Sequence, residues 1–492
     1  MINKIDYLVI ISIIFYITFF ILGVSIVDPS GYITGDSSSY LNIAGRALEG
    51  YGFFMPSNGQ IDSTERWFAI WPIGYPALIS AVAWSLGLST VIASKVVNII
   101  FLTLSIIALY ISFGRNGLIA SFILLTASPL RAYTMTWSDG PFLTTIIILC
   151  LYLGKILNED IKVNNKNIVI LFTLLILPFL LRYIGLYVLG PAFLVGLFIF
   201  FKKRKKESIL IMIAIFFALL VCLFYLAINF QFTGYITGME RLPSTEGNFE
   251  LFNILTKAIL QEFILIMPNW NSNNNLQNFI LIIWVLITLF CMILIKKNTY
   301  QIKDRKLNST SILFIIFGCV YLFALIYLRW NNEFETFSSR FLMPGFSLFF
   351  IGICLWFLSR SKGSNTSFIF LALISISLVA GGYFYNLKSK YGLNKNYFIY
   401  IEQMKKKYSI LPDNAIVIFG SRQLKYLRPS IRIASPNPSH FKAFEGSWDE
   451  FLMSLDSDSP IFVEIGSESL PNNNSLISSD SIVPLDKYKS KK

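Results

Sequence analysis

Histidine is almost absent from the chain, since His440 is the only one among 492 residues. The five cysteines lie inside apolar segments, and no pair of them has the spacing of a metal site or of a disulfide framework in a polar loop. The glycines form neither a GxGxxG nor a GxxxxGK(S/T) motif, so no nucleotide-binding loop is predicted. The sequence therefore indicates no cofactor and no metal site, and it leaves a divalent cation open.

Charged residues are scarce as well. They make up 14% of the chain against 55% hydrophobic residues, and the mean hydropathy is +0.62. Soluble proteins carry about 25% charged residues, so this composition predicts a polytopic membrane protein. The net charge of +13 comes from short basic runs between apolar segments, which is typical of cytoplasmic loops and does not indicate a nucleic-acid partner.

Apolar segments recur along the chain at roughly the 20-residue length that crosses about 30 Å of hydrocarbon. The predicted spans are 6–27, 92–113, 117–134, 141–157, 167–182, 184–201, 208–230, 277–295, 311–328, 341–358 and 367–386. The pattern predicts a mainly α, polytopic helical bundle with about eleven spans.

The segment 71–88 is long enough to span, but it carries Pro72, Gly74 and Pro76 in its first turns. The strongest basic run, Lys202–Lys206, and the later basic runs all fall in the cytoplasm if the chain starts inside and 71–88 does not span. We therefore expect 71–88 to form a juxtamembrane helix at the outer surface, within a large first outer loop over residues 28–91.

Residues 387–492 are expected to follow the membrane domain 1–386 as a small outer α/β domain. Segments 415–419, 431–434 and 460–465 have the pattern of short buried strands. The stretch 447–455 is predicted to be a helix that starts at Ser447 or Asp449. The polar end of the chain has little capacity to pack.

Asp36 opens a helical pattern just beyond the first span, in "YITGDSSSYLNIAGRALEGYGF" (32–53). Asp is among the best N-cap residues, so a purely structural interpretation is an N-cap. The functional interpretation is a carboxylate at the outer membrane face that accepts a proton from an acceptor hydroxyl or amine.

Asp139 lies in "TMTWSDGPF", immediately before another span, and it too has the position of an N-cap. A carboxylate inside hydrocarbon would be costly, so Asp139 is expected to face water or a polar cleft. Asp36 and Asp139, on separate outer loops, form a candidate catalytic pair over one cavity.

Arg182 and Arg340 are predicted on the outer side, against the positive-inside trend. One interpretation is anchoring at the interface, where long basic side chains extend toward water. The other is recognition of a lipid-linked phosphate, which a planar guanidinium holds through two hydrogen bonds. Glu333 and Glu335 are expected to pair with Arg329 or Arg340.

Aromatic residues gather near the predicted outer face. Trp71 and Trp137 fit an aromatic belt at the interface, and with Tyr40 they are candidates for contact with an acceptor or a sugar. His440 is expected at the surface of the C-terminal domain.

Several segments of the sequence together resemble the GT-C superfamily of membrane glycosyltransferases. The resemblance is to the branch of the protein O-mannosyltransferases and the lipid A aminoarabinose transferase. The resemblance covers most of residues 1–360 and rests on "GDSSSYLNIAGRALEGYGF", "WPIGYPALISAV", "SDGPFLTTIIILCLYL", "LLRYIGL" and "RFLMPG". It implies that Asp36 matches the candidate base of the first outer loop and that Asp139 matches a second acidic residue of the family.

The predicted activity is transfer of a sugar from a polyprenyl-phosphate donor to an extracytoplasmic glycan, lipid or protein, with inversion at the anomeric carbon. The expected location is a bacterial plasma membrane, with the active site on the outer face. A polysaccharide polymerase or ligase and a transporter of lipid-linked oligosaccharide remain as alternatives. A transporter is expected to carry charged residues at mid-membrane or paired half-repeats, and the sequence shows neither.

Overall fold

The computed structural model describes residues 4–61, 64–161, 163–241, 243–244, 246–264, 305–332, 339–359, 396–435, 446–456, 458–464 and 482–485. The predicted spans 277–295 and 367–386 lie outside these residues, as do Glu333, Glu335 and His440. The predicted domain boundary at residue 386 also falls outside them and stays a prediction.

Helices dominate the described chain from its start to residue 358. They are α1 (Lys4–Val27), α2 (Gly35–Leu48), α3 (Gly74–Leu86), α4 (Thr90–Phe113), α5 (Arg115–Ser121), α6 (Ala127–Thr134), α7 (Asp139–Leu157), α8 (Asn165–Leu181), α9 (Leu189–Phe201), α10 (Lys205–Thr233), α11 (Asn248–Ile264), α12 (Arg305–Asn331) and α13 (Ser339–Leu358). Two 3₁₀ turns, Phe122–Leu125 and Tyr183–Val188, join neighbouring helices, and a two-strand ribbon pairs β1 (Phe54–Met55) with β2 (Arg66–Trp67).

By length and composition, seven helices of the described chain are able to cross a membrane. They are Asp6–Val27, Thr90–Phe113, Asp139–Leu157, Tyr183–Phe201, Lys205–Thr233, Lys306–Asn331 and Arg340–Leu358. An eighth span results if Arg115–Leu125 and Ser128–Thr134, which meet at a bend of 72°, count as one. The helix α8 has 17 residues and falls just short. The count of about eleven spans stays a prediction.

The helix α3 corresponds to the ambiguous segment 71–88. Its 13 residues give a length of about 20 Å, too short for about 30 Å of hydrocarbon. The helix ends at Gly87, whose φ of 64° lies in the left-handed region that glycine adopts without strain. The observed length agrees with a helix that does not span.

The chain divides into two compact units. The first comprises Met1–Ile21, Asn98–Phe224 and Arg241–Asn386. Within it, α12 and α13 pack closely because glycines lie at their contact: a Cβ at Gly318 would stand 2.7 Å from the carbonyl oxygen of Gly345. Small residues of this kind let membrane helices approach each other.

The second unit comprises Leu22–Val97, Tyr225–Glu240 and Leu387–Lys492. Its C-terminal part contains α14 (Tyr397–Tyr408), β3 (Ile416–Ile418), α15 (Arg422–Leu427), β4 (Arg432–Ala434), α16 (Trp448–Met453), β5 (Ile461–Glu464) and β6 (Ile482–Pro484). The sheet order is β4-β3-β5-β6, in which β6 alone is antiparallel to its neighbour.

The structure confirms the three predicted strands and the helix that begins at Ser447. Ser447 accepts from the backbone of Glu450 and the Glu450 carboxylate accepts from the backbone of Ser447, which forms a capping box. The prediction that the polar end of the chain does not pack is wrong for β6, because Val483 pairs with Val463 on β5.

Candidate active site

Asp139 is the first residue of α7, and its side chain is completely buried. The interpretation of Asp139 as an N-cap is wrong, because Ser138 occupies the cap position. The carboxylate forms ion pairs with two guanidinium groups instead. One comes from Arg182 and the other from Arg340, whose Nε lies 3.3 Å from Oδ2 of Asp139. The sequence singled out all three residues, and the structure brings them together.

Local backbone geometry places the two arginines. The helix α8 ends at Leu181, and Arg182 leaves it in an extended conformation with its N–H on the carbonyl oxygen of Pro178. A glycine is required at position 185, where a Cβ would stand 2.3 Å from the backbone of Pro178. Arg340 belongs to the first turn of α13. Three separate elements thus deliver charged side chains to one point.

One carboxylate and two guanidiniums leave this cluster with a formal charge of −1 + 2 = +1. Only 14% of the Arg182 side chain and 8% of the Arg340 side chain are exposed. Guanidinium groups bind phosphate oxygens through paired, charge-assisted hydrogen bonds. The cluster has the chemistry of a phosphate-binding centre.

Aromatic rings surround the two guanidiniums. The Arg340 guanidinium lies 4.6 Å from the ring centre of Trp137 and 5.5 Å from that of Phe341, and Arg182 lies 5.6 Å from the same Phe341 ring. Cation–π contacts of this kind hold the planar groups in place. The Tyr321 hydroxyl donates to the carbonyl oxygen of Phe341 at 2.9 Å. Trp137, a candidate sugar contact, thus packs against an arginine.

Asp36 is the second residue of α2 and is half-buried. The interpretation of Asp36 as the N-cap is wrong, because Thr34 occupies that position and its hydroxyl accepts from the backbone N–H of Ser37. The carboxylate is therefore not needed to cap the helix. An acid in the first turn still interacts favourably with the positive end of the helix dipole.

Tyr40 and Trp71, two of the candidates for contact with an acceptor or a sugar, belong to a packed aromatic cluster. The Tyr40 ring is fully buried and lies 5.3 Å from Trp71, 5.2 Å from Tyr75 and 6.4 Å from Phe68. Trp71 is half-buried. Tyr40 therefore anchors α2 against the segment before α3, and Trp71 is the more accessible of the two rings.

Sequence reasoning missed Lys425, which lies on α15 and donates to the Ser39 hydroxyl at 2.8 Å. Burial of the ammonium lowers the pKa of Lys425 to about 8, while the charge of Asp36 acts in the opposite direction. No spacing in the sequence connects these residues, since 386 positions separate Ser39 from Lys425.

The two candidate carboxylates belong to different compact units, Asp139 to the first and Asp36 to the second. Their convergence over one cavity stays a prediction. Arg329, expected to pair with Glu333 or Glu335, forms a buried ion pair with Glu246. Among the residues that the structure describes, no three His, Cys, Asp or Glu side chains are grouped so that they could hold a metal ion.

The apolar helices define the chain as an integral membrane protein. Its fold is similar to that of ArnT from Cupriavidus metallidurans in a crystal structure bound to undecaprenyl phosphate, with a TM-score of 0.57, 10% identity and coverage of 97% of each chain. At this identity the likeness shows the fold alone. The mainly helical membrane fold that the sequence predicts is thus confirmed.

Two further solved structures are less similar. The apo state of the same ArnT gives a TM-score of 0.45 at 11% identity over 93% of this chain and 92% of that chain. The archaeal oligosaccharyltransferase AglB from Archaeoglobus fulgidus, in complex with an inhibitory peptide and a dolichol-phosphate, gives 0.47 at 12% identity over 94% and 70%. No family model matches the sequence, and no curated protein sequence matches it.

Proposed function

We propose that this protein is a membrane glycosyltransferase that moves a sugar from a polyprenyl-phosphate donor to an extracytoplasmic glycan, lipid or protein. The observation that carries the proposal is the buried cluster of Asp139, Arg182 and Arg340, whose formal charge is +1. The two guanidiniums of this cluster have the chemistry that binds the phosphate of a lipid-linked donor. The ArnT structure with the same fold holds undecaprenyl phosphate, which supports a polyprenyl carrier.

In this proposal, Arg340 and Arg182 bind the donor phosphate. Their guanidiniums are always charged and planar, so they hold phosphate oxygens at fixed angles. Asp139 acts as a positioning residue that keeps both guanidiniums in place, because its carboxylate is completely buried and paired with both. This role replaces the catalytic role expected for Asp139 from the sequence, since a base must reach the acceptor.

Asp36 is the proposed general base. Its half-buried carboxylate lies in the first turn of α2 and does not cap the helix, and in this proposal it accepts the proton of an acceptor hydroxyl or amine. The acceptor atom forms a bond to the anomeric carbon while the bond from that carbon to the phosphate oxygen breaks. The proton passes to Asp36 and the polyprenyl phosphate leaves. Attack opposite the phosphate inverts the anomeric configuration.

The growing negative charge on the leaving phosphate is the part of the reaction that the arginine pair stabilises. A phosphate is a good leaving group, so little general-acid catalysis is needed. The acceptor is the weaker partner and needs the base. The proposed site faces the outer side of a bacterial plasma membrane, where a lipid-linked donor replaces a nucleotide sugar.

Profiling of lipid-linked sugars in a deletion strain tests this function. The strain should accumulate a polyprenyl-phosphate sugar and lose one sugar from an envelope acceptor, and the wild-type gene should reverse both changes. A complemented strain with Asp36→Asn should keep the accumulation. An unchanged profile of lipid-linked sugars in the deletion strain would contradict the proposal.

A further inference from the structure

The C-terminal part of the chain contacts one face of α2, the helix that carries Asp36 in its first turn. Ser39 accepts from Lys425, and the Asn42 side-chain amide donates to the carbonyl oxygens of Lys425 at 2.6 Å and of Pro429 at 3.1 Å. One turn further, a Cβ at Gly45 would stand 3.1 Å from Pro429. Positions three and four apart share a face of a helix, so this contact is continuous.

The same face extends to the end of α2. The Ser430 hydroxyl donates to the Glu49 carboxylate at 2.6 Å. The face that contacts the C-terminal part thus runs through positions 39, 42, 45 and 49. The side that carries Tyr40 packs instead against Phe68, Trp71 and Tyr75. α2 is therefore fixed from two sides, and the C-terminal part supplies one of them.

The helix α15, which carries Lys425, is itself anchored to the sheet. The buried Glu464 at the end of β5 accepts from the backbone N–H of Ser421 at 2.7 Å, and Ser421 is the N-cap of α15. The same carboxylate accepts from Tyr408 at 3.0 Å and from Lys407 at 2.7 Å. Because Glu464 is 3% exposed and fully paired in this way, the start of α15 is rigidly placed.

Lys425 connects this anchored helix to the first turn of α2. Its ammonium donates to the Ser39 hydroxyl, and that hydroxyl donates in turn to the carbonyl oxygen of Gly35 at 3.4 Å. Gly35 directly precedes Asp36 in the chain. The negative charge that acts on the Lys425 ammonium is the Asp36 carboxylate. The residue after Lys425, Tyr426, interacts with Tyr397 and Tyr400 on α14.

We infer that Lys425 is a positioning residue for Asp36 and that the C-terminal domain holds the first turn of α2 in the geometry that transfer requires. The inference rests on the proposed function for its catalytic consequence. The ammonium fixes the turn through Ser39 and supplies a positive charge that stabilises the ionised carboxylate. A misplacement of about 1 Å at a reacting group costs on the order of 10²-fold in rate.

Three variants test the inference with the full-length protein, with lipid-linked donor extracted from the deletion strain as substrate. Lys425→Met removes the charge and keeps the bulk of the side chain. Lys425→Arg keeps the charge, and Lys406→Met removes an exposed lysine from α14 as a matched control. We expect on the order of 10²-fold lower turnover for Lys425→Met. Lys425→Arg should restore most of the activity, which a purely steric role of the lysine would not predict.

Unchanged turnover for Lys425→Met would overturn the inference, while loss of activity in Asp36→Asn would still uphold the proposed function. A second measurement needs no substrate and covers the case in which Lys425→Met does not fold. Competitive acetylation with acetic anhydride, read by mass spectrometry, reports the protonation of Lys425 against pH. The midpoint near pH 8 should fall in Asp36→Asn, because the carboxylate stabilises the ammonium. An identical midpoint in both proteins would overturn the inference.

Discussion

Asp139 and Asp36 occupy almost the same position, in the first turn of a helix, and yet their surroundings differ. Asp139 is completely buried between two guanidiniums. Asp36 is half-buried, and its charge acts on the ammonium of Lys425. In our proposal the buried carboxylate, paired with two arginines, belongs to an anion-binding centre, and the partly exposed one exchanges protons with the substrate. Two carboxylates with almost the same place in a helix thus have different neighbours, and these neighbours are the basis of the two proposed roles.

The largest effect is expected for Asp139→Asn. The change removes the negative charge from a buried carboxylate that pairs with two guanidiniums, and breaking a buried ion pair destabilises a protein by about 3–5 kcal/mol. We therefore expect a strongly reduced yield of monodisperse protein in detergent and a much lower melting temperature. Asp36→Asn is the matched control and should melt like the wild type. Equal melting temperatures for Asp139→Asn and the wild type would remove the structural difference between the two sites.

Substitutions at Arg340 test whether the arginines around Asp139 bind the donor phosphate. Arg340→Lys keeps the charge and loses the planar fork, so binding of undecaprenyl phosphate should weaken about 10-fold, and Arg340→Ala should weaken it about 100-fold. Microscale thermophoresis with undecaprenyl phosphate measures both. Arg115→Lys alters an arginine that pairs with Asp6 and should bind normally. Equal affinity in Arg340→Lys, Arg340→Ala and wild-type protein would assign Arg340 to the interface alone.

Glu262 offers a third carboxylate for the comparison. It is buried on α11 and accepts from the Ser128 hydroxyl at 3.0 Å. Burial raises its pKa to about 8, although Ser128 and Arg131 act in the opposite direction. The folded protein thus keeps a proton that the unfolded chain releases near pH 4.5, and stability falls as the pH rises from about 4.5 to 8.

Glu262→Gln should remove the loss of stability that the wild type shows as the pH rises, because glutamine does not titrate. We expect the variant to melt at the wild-type temperature at pH 4.5 and several degrees higher at pH 8, as measured by differential scanning fluorimetry. Glu250→Gln changes an exposed residue of the same helix and should follow the wild type at both pH values. A wild-type pH dependence in Glu262→Gln would show that Glu262 does not titrate as proposed.

The smallest effect concerns the cap of α2. Thr34→Ala removes the side-chain oxygen that accepts from the Ser37 N–H and should cost about 1 kcal/mol of stability. Asp36→Ala should cost less than Thr34→Ala, because Asp36 does not cap and loses only its interaction with the helix dipole. The melting temperatures of the two variants measure both costs. If Asp36→Ala were the more destabilised of the two, the cap would be at residue 36.

Much of the secondary structure could be predicted from residues that are close together in the sequence. The capping box at Ser447 and Glu450 and the short apolar strands follow from residues close together in the sequence. The cap at Thr34 was missed because "ITGDSSS" offers several capping residues within six positions. The strand β6 was missed because three residues in a polar tail give no period, and its pairing with β5 is decided by tertiary contact.

The candidate site was predictable as a set of residues and not as an arrangement. Asp139, Arg182 and Arg340 each stood out as charges at the ends of apolar segments. Nothing local shows that the arginines pair with Asp139, because the contact spans 201 residues between Asp139 and Arg340. Lys425 was missed for the same reason, since it lies in an unremarkable basic stretch and reaches α2 only in the folded chain.

Transfer activity of Asp36→Asn, measured with donor extracted from the deletion strain, is the most direct test of the central claim. Because Thr34 caps α2, the variant should express and melt like the wild type. It should lose turnover by on the order of 10²–10⁴-fold, which is what a positioned general base contributes. A normally folded Asp36→Asn protein with wild-type turnover would contradict the assignment of the base and the location of the active site beside α2.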